Sequence, residues 1–233
     1  MLIAGKACLI LVLATCLYGI GASLYGARAN RREWVASGRR AVYAVAATTG
    51  LAFLILEAAF LRSDFTFTLV TTHSSTTTPA FYRATAVWSS QEGSLLLWLL
   101  LLSLWSSLIL FLTRRRLREI APYATAVLLG FATFFAALLV FLETPFGQAS
   151  PAPSEGVGLN PLLRHPSMMI HPPMLYSGYT LFAIPFAFAV GALITRRLNA
   201  DWIRTTRPFT LAAWLFLATG IVLGARWSYS ELG

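Results

Sequence analysis

Six long apolar runs, separated by short polar stretches, decide most of what this chain can fold into. A helix rises about 1.5 Å per residue, so crossing the hydrocarbon core of a bilayer takes about 20 mostly apolar residues. Six windows meet that length: about residues 7–25, 41–61, 93–112, 122–142, 172–194 and 209–225, the last being the shortest. Each must be a helix, because an unpaired backbone amide in lipid costs several kcal/mol. The runs do not alternate apolar with polar residues, which excludes a transmembrane barrel. Charged residues make up only 12% of the chain, against about a quarter in a soluble domain. The sequence therefore predicts an all-α integral membrane protein, a single polytopic domain over residues 1–233 with six transmembrane helices. The first run has one positive charge ahead of it, Lys6, and exceeds the usual core of a signal peptide, so it is expected to be retained as a helix.

The basic residues divide between two faces. Arg28, Arg31, Arg32, Arg39, Arg40, Arg114, Arg115, Arg116, Arg118, Arg196, Arg197, Arg204 and Arg207 fall on one side, and Lys6, Arg62, Arg83, Arg164 and Arg226 on the other. Positive loops stay in the cytoplasm. Both termini and the two longer loops, 62–92 and 143–171, are therefore expected on the outer, periplasmic side of a cell inner membrane. The net charge of +9 follows from helix anchoring, so no nucleic-acid partner is implied.

Polar chemistry collects in the outward loops. Cys8 and Cys16 stand eight apart on the first helix without a CxxC spacing, and read as packing residues. The histidines are His73, His165 and His171, and no cluster such as HExxH occurs among them. A single histidine can still ligate a haem iron, because haem supplies four nitrogens itself. His171 stands in NPLLRHPSMMIHPPMLYSGY (160–179). Asn160 and Pro161 read as the start of a short helix, which Pro166 breaks or restarts. Pro172 and Pro173 follow His171 directly, and a residue before proline is pushed out of the helical region. His171 is thus expected at the outer mouth of the fifth helix, as its N-cap or just before. A helix N-terminus there would attract carboxylates such as haem propionates. The position suits either a capping residue or an axial ligand, and geometry read from sequence leaves both open.

A second outward segment reads FYRATAVWSSQEGSLLLW (81–98). Trp88 precedes the third spanning helix, with Gln91, Glu92 and the flexible Gly93 at the membrane edge. The segment suits an interfacial aromatic followed by an N-cap and an acidic first turn. It equally suits the wall of a site for a flat apolar ligand with acidic ends. Residues 66–82, TFTLVTTHSSTTTPAFY, alternate in a way that hints at an extended segment around His73. Glu57 lies near the outer end of the second helix, where it could pair with Arg62.

With these residues the chain resembles the CcmF/NrfE family of haem lyase subunits of c-type cytochrome biogenesis. The resemblance rests on HSSTTTPAFYRATAVWSSQEGSLLLW, NPLLRHPSMMIHPPMLYSGY and the closing WIRTTRPFTLAAWLFLATGIVLGARWSYSELG, in that order. It implies a haem-handling subunit that positions haem for covalent attachment to apocytochrome c, working with a haem chaperone and an apocytochrome-handling subunit. It also implies His171 as an axial ligand to haem iron, in a site with Pro172, Pro173, Trp88, Gln91, Glu92 and Trp227. The family's tryptophan-rich segment would begin where this chain ends, and the family's tryptophan pairs or glycines are replaced by Ser89-Ser90 and Arg226-Trp227. The chain is thus expected to be the N-terminal part, to need a partner chain carrying the tryptophan-rich part, and to have no lyase activity alone. Two alternatives come from other classes. Pro172, Pro173 and Pro185 could interrupt the fifth helix as in a permease for a small anionic substrate, or the motifs could serve packing in a structural membrane subunit.

Overall fold

A computed structural model describes residues 1–231 and Gly233 in full and Leu232 in its backbone. Among the described residues eight α-helices follow in order: α1 (Leu2–Arg28), α2 (Arg32–Leu61), α3 (Thr68–His73), α4 (Ala80–Thr85), α5 (Gln91–Leu112), α6 (Ala121–Phe141), α7 (Pro166–Thr195) and α8 (Asp201–Leu232). Six of them, α1, α2, α5, α6, α7 and α8, are long and apolar enough to cross a membrane, and the chain is an all-α integral membrane protein. The helices overrun their apolar windows, because a helix satisfies its own backbone and continues into the interface until something breaks it. α8 shows this best: the shortest window belongs to the longest helix, of 32 residues.

Lipid offers helices no hydrophobic reason to associate, so close packing of small residues has to hold the bundle. α1 meets α2 at Gly19, where a Cβ would stand 2.8 Å from that of Ala41. α7 packs most extensively against α8. There a Cβ at Gly178 would lie 2.8 Å from Leu217, and one at Gly220 would lie 2.8 Å from Leu175. Larger side chains at these positions would push the helix axes apart.

The two long loops lie over one end of the bundle and pack on each other. Phe67 and Gln148 form an antiparallel bridge, with Thr68 N donating to Gly147 O at 3.0 Å and Ala149 N to Thr66 O at 2.9 Å. Phe67 and Phe146 are fully buried beneath it, edge to face at 6.3 Å, and Phe146 lies directly on Gly5 of α1. Farther out, the Thr76 amide donates to Glu155 at 2.9 Å and the Thr76 hydroxyl bonds its other oxygen. The contact of Gly5 with Phe146, and that of Trp227 with Leu162 at 2.8 Å, put both chain ends at the long-loop end. The segment before His73 is not extended; it forms α3, in which the Thr71 and Thr72 hydroxyls donate back to carbonyls of their own turn. Glu57 does not pair with Arg62 either. Among the described residues the ion pairs are Arg31–Glu33 and Arg197–Glu119.

α7 departs most from its sequence reading. It is continuous from Pro166 to Thr195 through Pro172, Pro173 and Pro185, so it is not the interrupted helix that a permease reading requires. Pro166 occupies the first turn, where its missing N–H costs nothing. His165 is the N-cap, its Nδ1 accepting from Ser167 N at 3.1 Å. The Met168, Met169 and Leu181 carbonyls lose their partners to Pro172, Pro173 and Pro185. Burial of Ser167, Met169 and Pro172 holds this first turn in line despite the local preference.

Candidate functional site

The three histidines are used differently. His73 Nδ1 lies 2.8 Å from Thr72 Oγ1 and 3.2 Å from Leu69 O, within its own short helix. His165 caps α7. His171 alone bonds across to another helix: its Nδ1 is 2.7 Å from the carbonyl of Gly220, in the middle of α8. The sequence placed His171 at the helix mouth, but it is the sixth residue of α7, and the capping role belongs to His165.

This one contact sets the chemistry of the ring. A carbonyl oxygen only accepts, so Nδ1 carries the proton and donates, leaving the lone pair of the neutral ring on Nε2. Gly224, one turn beyond Gly220, provides the space. A Cβ there would overlap the imidazole, with Cε1 its nearest atom. Trp227 lies three residues farther along the same face and donates from Nε1 to Leu162 O at 2.8 Å, tying α8 to the 3-10 turn Pro161–Arg164. That turn begins at Asn160, whose side chain accepts from Leu162 N at 3.0 Å. His171 and Trp227 thus share one side of the α7–α8 seam at the long-loop end. An imidazole held by a backbone carbonyl through one nitrogen, with the other free, is what an axial metal ligand needs.

Pro172 and Trp88 belong to the other side of α7. They line a crevice of about 10 Å³ with Met168, Met169, Leu159 and Leu163, room for one water at most and far too small for a macrocycle. Trp88 Nε1 is buried in that region without a hydrogen-bond partner. Ser90 caps α5, its hydroxyl accepting from Gly93 N at 3.1 Å. Glu92 stands in the first turn, half-buried beside the exposed Gln91. Gly93 is there for closeness rather than flexibility: a Cβ would collide with the Val87 carbonyl. Farther down, the Tyr176 hydroxyl donates to Ser94 Oγ at 3.2 Å, and Trp98 stacks on Tyr179 at 5.4 Å. The proposed set is therefore divided by α7, with His171 and Trp227 toward α8 and Pro172, Trp88, Gln91 and Glu92 toward α5. Gly220 and Gly224 are the partners that sequence reading missed. Nothing marks them within an apolar run except that they are glycines.

Comparison with known proteins gives a consistent result. The family model described as cytochrome C assembly protein matches residues 88–233. The chain is 41% identical over 211 residues to the cytochrome c-type biogenesis protein CcmF of Escherichia coli, covering 90% of this chain and 33% of that one. It is 42% identical over 228 residues to CcmF of Pseudomonas aeruginosa, covering 97% and 35%. It is 41% identical over 192 residues to NrfE of Haemophilus influenzae, covering 82% and 30%. A solved structure titled cytochrome c heme lyase CcmF superposes with a TM-score of 0.83 at 31% identity, over 98% of this chain and 36% of that one. The chain spans about a third of the length of these relatives.

Proposed function

The chain belongs to the cytochrome c assembly protein family, and from that membership we propose that it is a haem-handling membrane subunit of c-type cytochrome assembly. In this reading His171 is an axial ligand to the haem iron and Trp227 the adjoining wall. The observation that carries it is the bond from His171 Nδ1 to Gly220 O, which fixes the tautomer and leaves Nε2 for a metal. The distribution of arginines supports the long-loop end facing the periplasm of an inner membrane. Haem chaperone and apocytochrome c with its handling subunit are the partners that follow from this reading.

The chemistry asked of the protein is positional. Attachment forms thioether bonds between haem vinyl groups and cysteine thiols, and the iron and porphyrin supply the reacting system themselves. His171 would hold the haem through Nε2, and the α7–α8 seam keeps the imidazole at one depth and orientation for that task. Trp88, Gln91 and Glu92 stand on the α5 side of α7, and in this reading they are not ligands to the iron.

The test is a haem titration of the purified chain in lipid nanodiscs, followed by visible absorption, beside His171→Ala and His165→Ala. A Soret shift in the unaltered chain and in His165→Ala, lost or weakened at least tenfold in His171→Ala, is expected. Equal spectra for the unaltered chain and His171→Ala would refute the assignment.

A further inference from the structure

The opposite end of the bundle carries a cleft that haem handling leaves unused. It has a volume of about 650 Å³ and opens where α1 ends, α2 begins and α6 begins. Arg31, Arg32, Arg39, Arg114 and Arg118 line it, against one carboxylate, Glu119. That carboxylate is already engaged, both oxygens bonded to Arg197 at 2.6 and 2.9 Å. Arg31 lies 3.7 Å from Glu33. Arg39 reaches the Arg114 carbonyl at 3.4 Å, and Arg114 lies over the Phe111 ring at 4.2 Å. Arg32 and Arg118 have no hydrogen-bond or ion partner among the described residues. α2 also begins in this wall without a side-chain cap, so its N-terminus adds partial positive charge. Five guanidiniums drawn together with so little compensation repel one another, and an anion between them would relieve that.

Position narrows the class of anion. The cleft lies at the ends of helices long and apolar enough to span a membrane, and the residues close to its lining in sequence, Tyr25, Trp34, Phe111 and Leu112, are exposed. Tyr25 and Trp34 pack edge to face at 5.3 Å, as interfacial aromatics do. A phosphate joined to acyl chains meets both the guanidiniums and this apolar rim, whereas a free anion meets only the charge. We propose that the cleft is a docking site for the phosphate headgroup of an anionic phospholipid, with Arg32 and Arg118 as its two uncommitted contacts. Basic pockets between helix ends on the positively charged side suit such headgroups.

The experiment measures phospholipid retained by the purified chain, by native mass spectrometry after exchange from nanodiscs of mixed phosphatidylglycerol and phosphatidylcholine. The unaltered chain should keep phosphatidylglycerol selectively, and excess inorganic phosphate should not displace it. Arg32→Gln/Arg118→Gln should lower retention about thirty-fold, at about 1 kcal/mol per arginine near an anionic surface. Arg204→Gln/Arg207→Gln removes the same charge outside the cleft and should change little. Arg32→Lys/Arg118→Lys should keep most of the binding, which separates loss of the site from loss of the fold. Three results would overturn the proposal: equal retention of phosphatidylcholine, equal losses in the two glutamine pairs, or displacement by phosphate alone. The second would mean diffuse surface charge and the third a free-anion site.

Discussion

At His171 one hydrogen bond and one missing side chain set up the ring. The Gly220 carbonyl holds Nδ1 at 2.7 Å, and Gly224 leaves the volume that the imidazole fills. Gly224→Val is therefore expected to displace the ring and weaken haem binding at least tenfold, measured by Soret titration. Overpacking should also cost about 1–3 kcal/mol of stability. A Gly224→Val chain that binds haem normally would show that the ring does not need this seat. The histidine itself was legible in the sequence, through the IHPP segment and its neighbours. Its exact setting was not, because Pro166 and Pro172, six residues apart, both read as helix starts, and local preference cannot choose between two such signals. Packing decided it, by burying Ser167, Met169 and Pro172 and giving the cap to His165. Gly220 and Gly224 could not have been found at all, since what makes them matter is a neighbour about 50 positions away in the chain.

Between elements, the loops gain their order from a few fixed contacts over α1. Phe146 lies on Gly5 and meets Phe67 at 6.3 Å. Phe146→Ala should cost about 3–5 kcal/mol, seen as faster protease cleavage in residues 143–171 with the six spans still helical by circular dichroism. Unchanged cleavage would mean that the loops are held elsewhere. The Thr76–Glu155 clamp adds a pH dependence. Hydrogen bonds from the Thr76 hydroxyl, the Thr76 amide and the Gly156 amide hold the Glu155 carboxyl below the usual carboxylate range. A group lowered in this way stabilises the fold above its unfolded-chain value, and that contribution is lost as pH falls through its folded value. Loop cleavage by an acid-active protease should therefore rise as pH falls into the acid range, and Glu155→Gln should flatten that rise. An identical rise in Glu155→Gln would assign it to another group. The six spans were legible because bilayer thickness demands length and apolarity, which composition displays directly. α3 was not, because Thr66 and Thr68 alternating with Phe67 and Leu69 look like a strand, and only the hydroxyl bonds back to the helical carbonyls reveal the turn.

On the scale of the whole molecule, the two ends of the bundle are built for different surroundings. One end carries both termini, the packed loops and the seam with His171. The other carries short basic connections and the arginine cleft. That division was visible in the sequence from the spacing of six runs and the placement of arginines alone, whereas the split of the candidate site by α7 required three dimensions. The account stands or falls on whether His171 is the group that meets the iron. Resonance Raman spectroscopy of the ferrous, haem-loaded chain in nanodiscs reads that bond directly, as an iron–imidazole stretching band. The band is expected in the unaltered chain, absent in His171→Ala, and restored when free imidazole is added to the variant. Its persistence at full strength in His171→Ala without added imidazole would contradict the account.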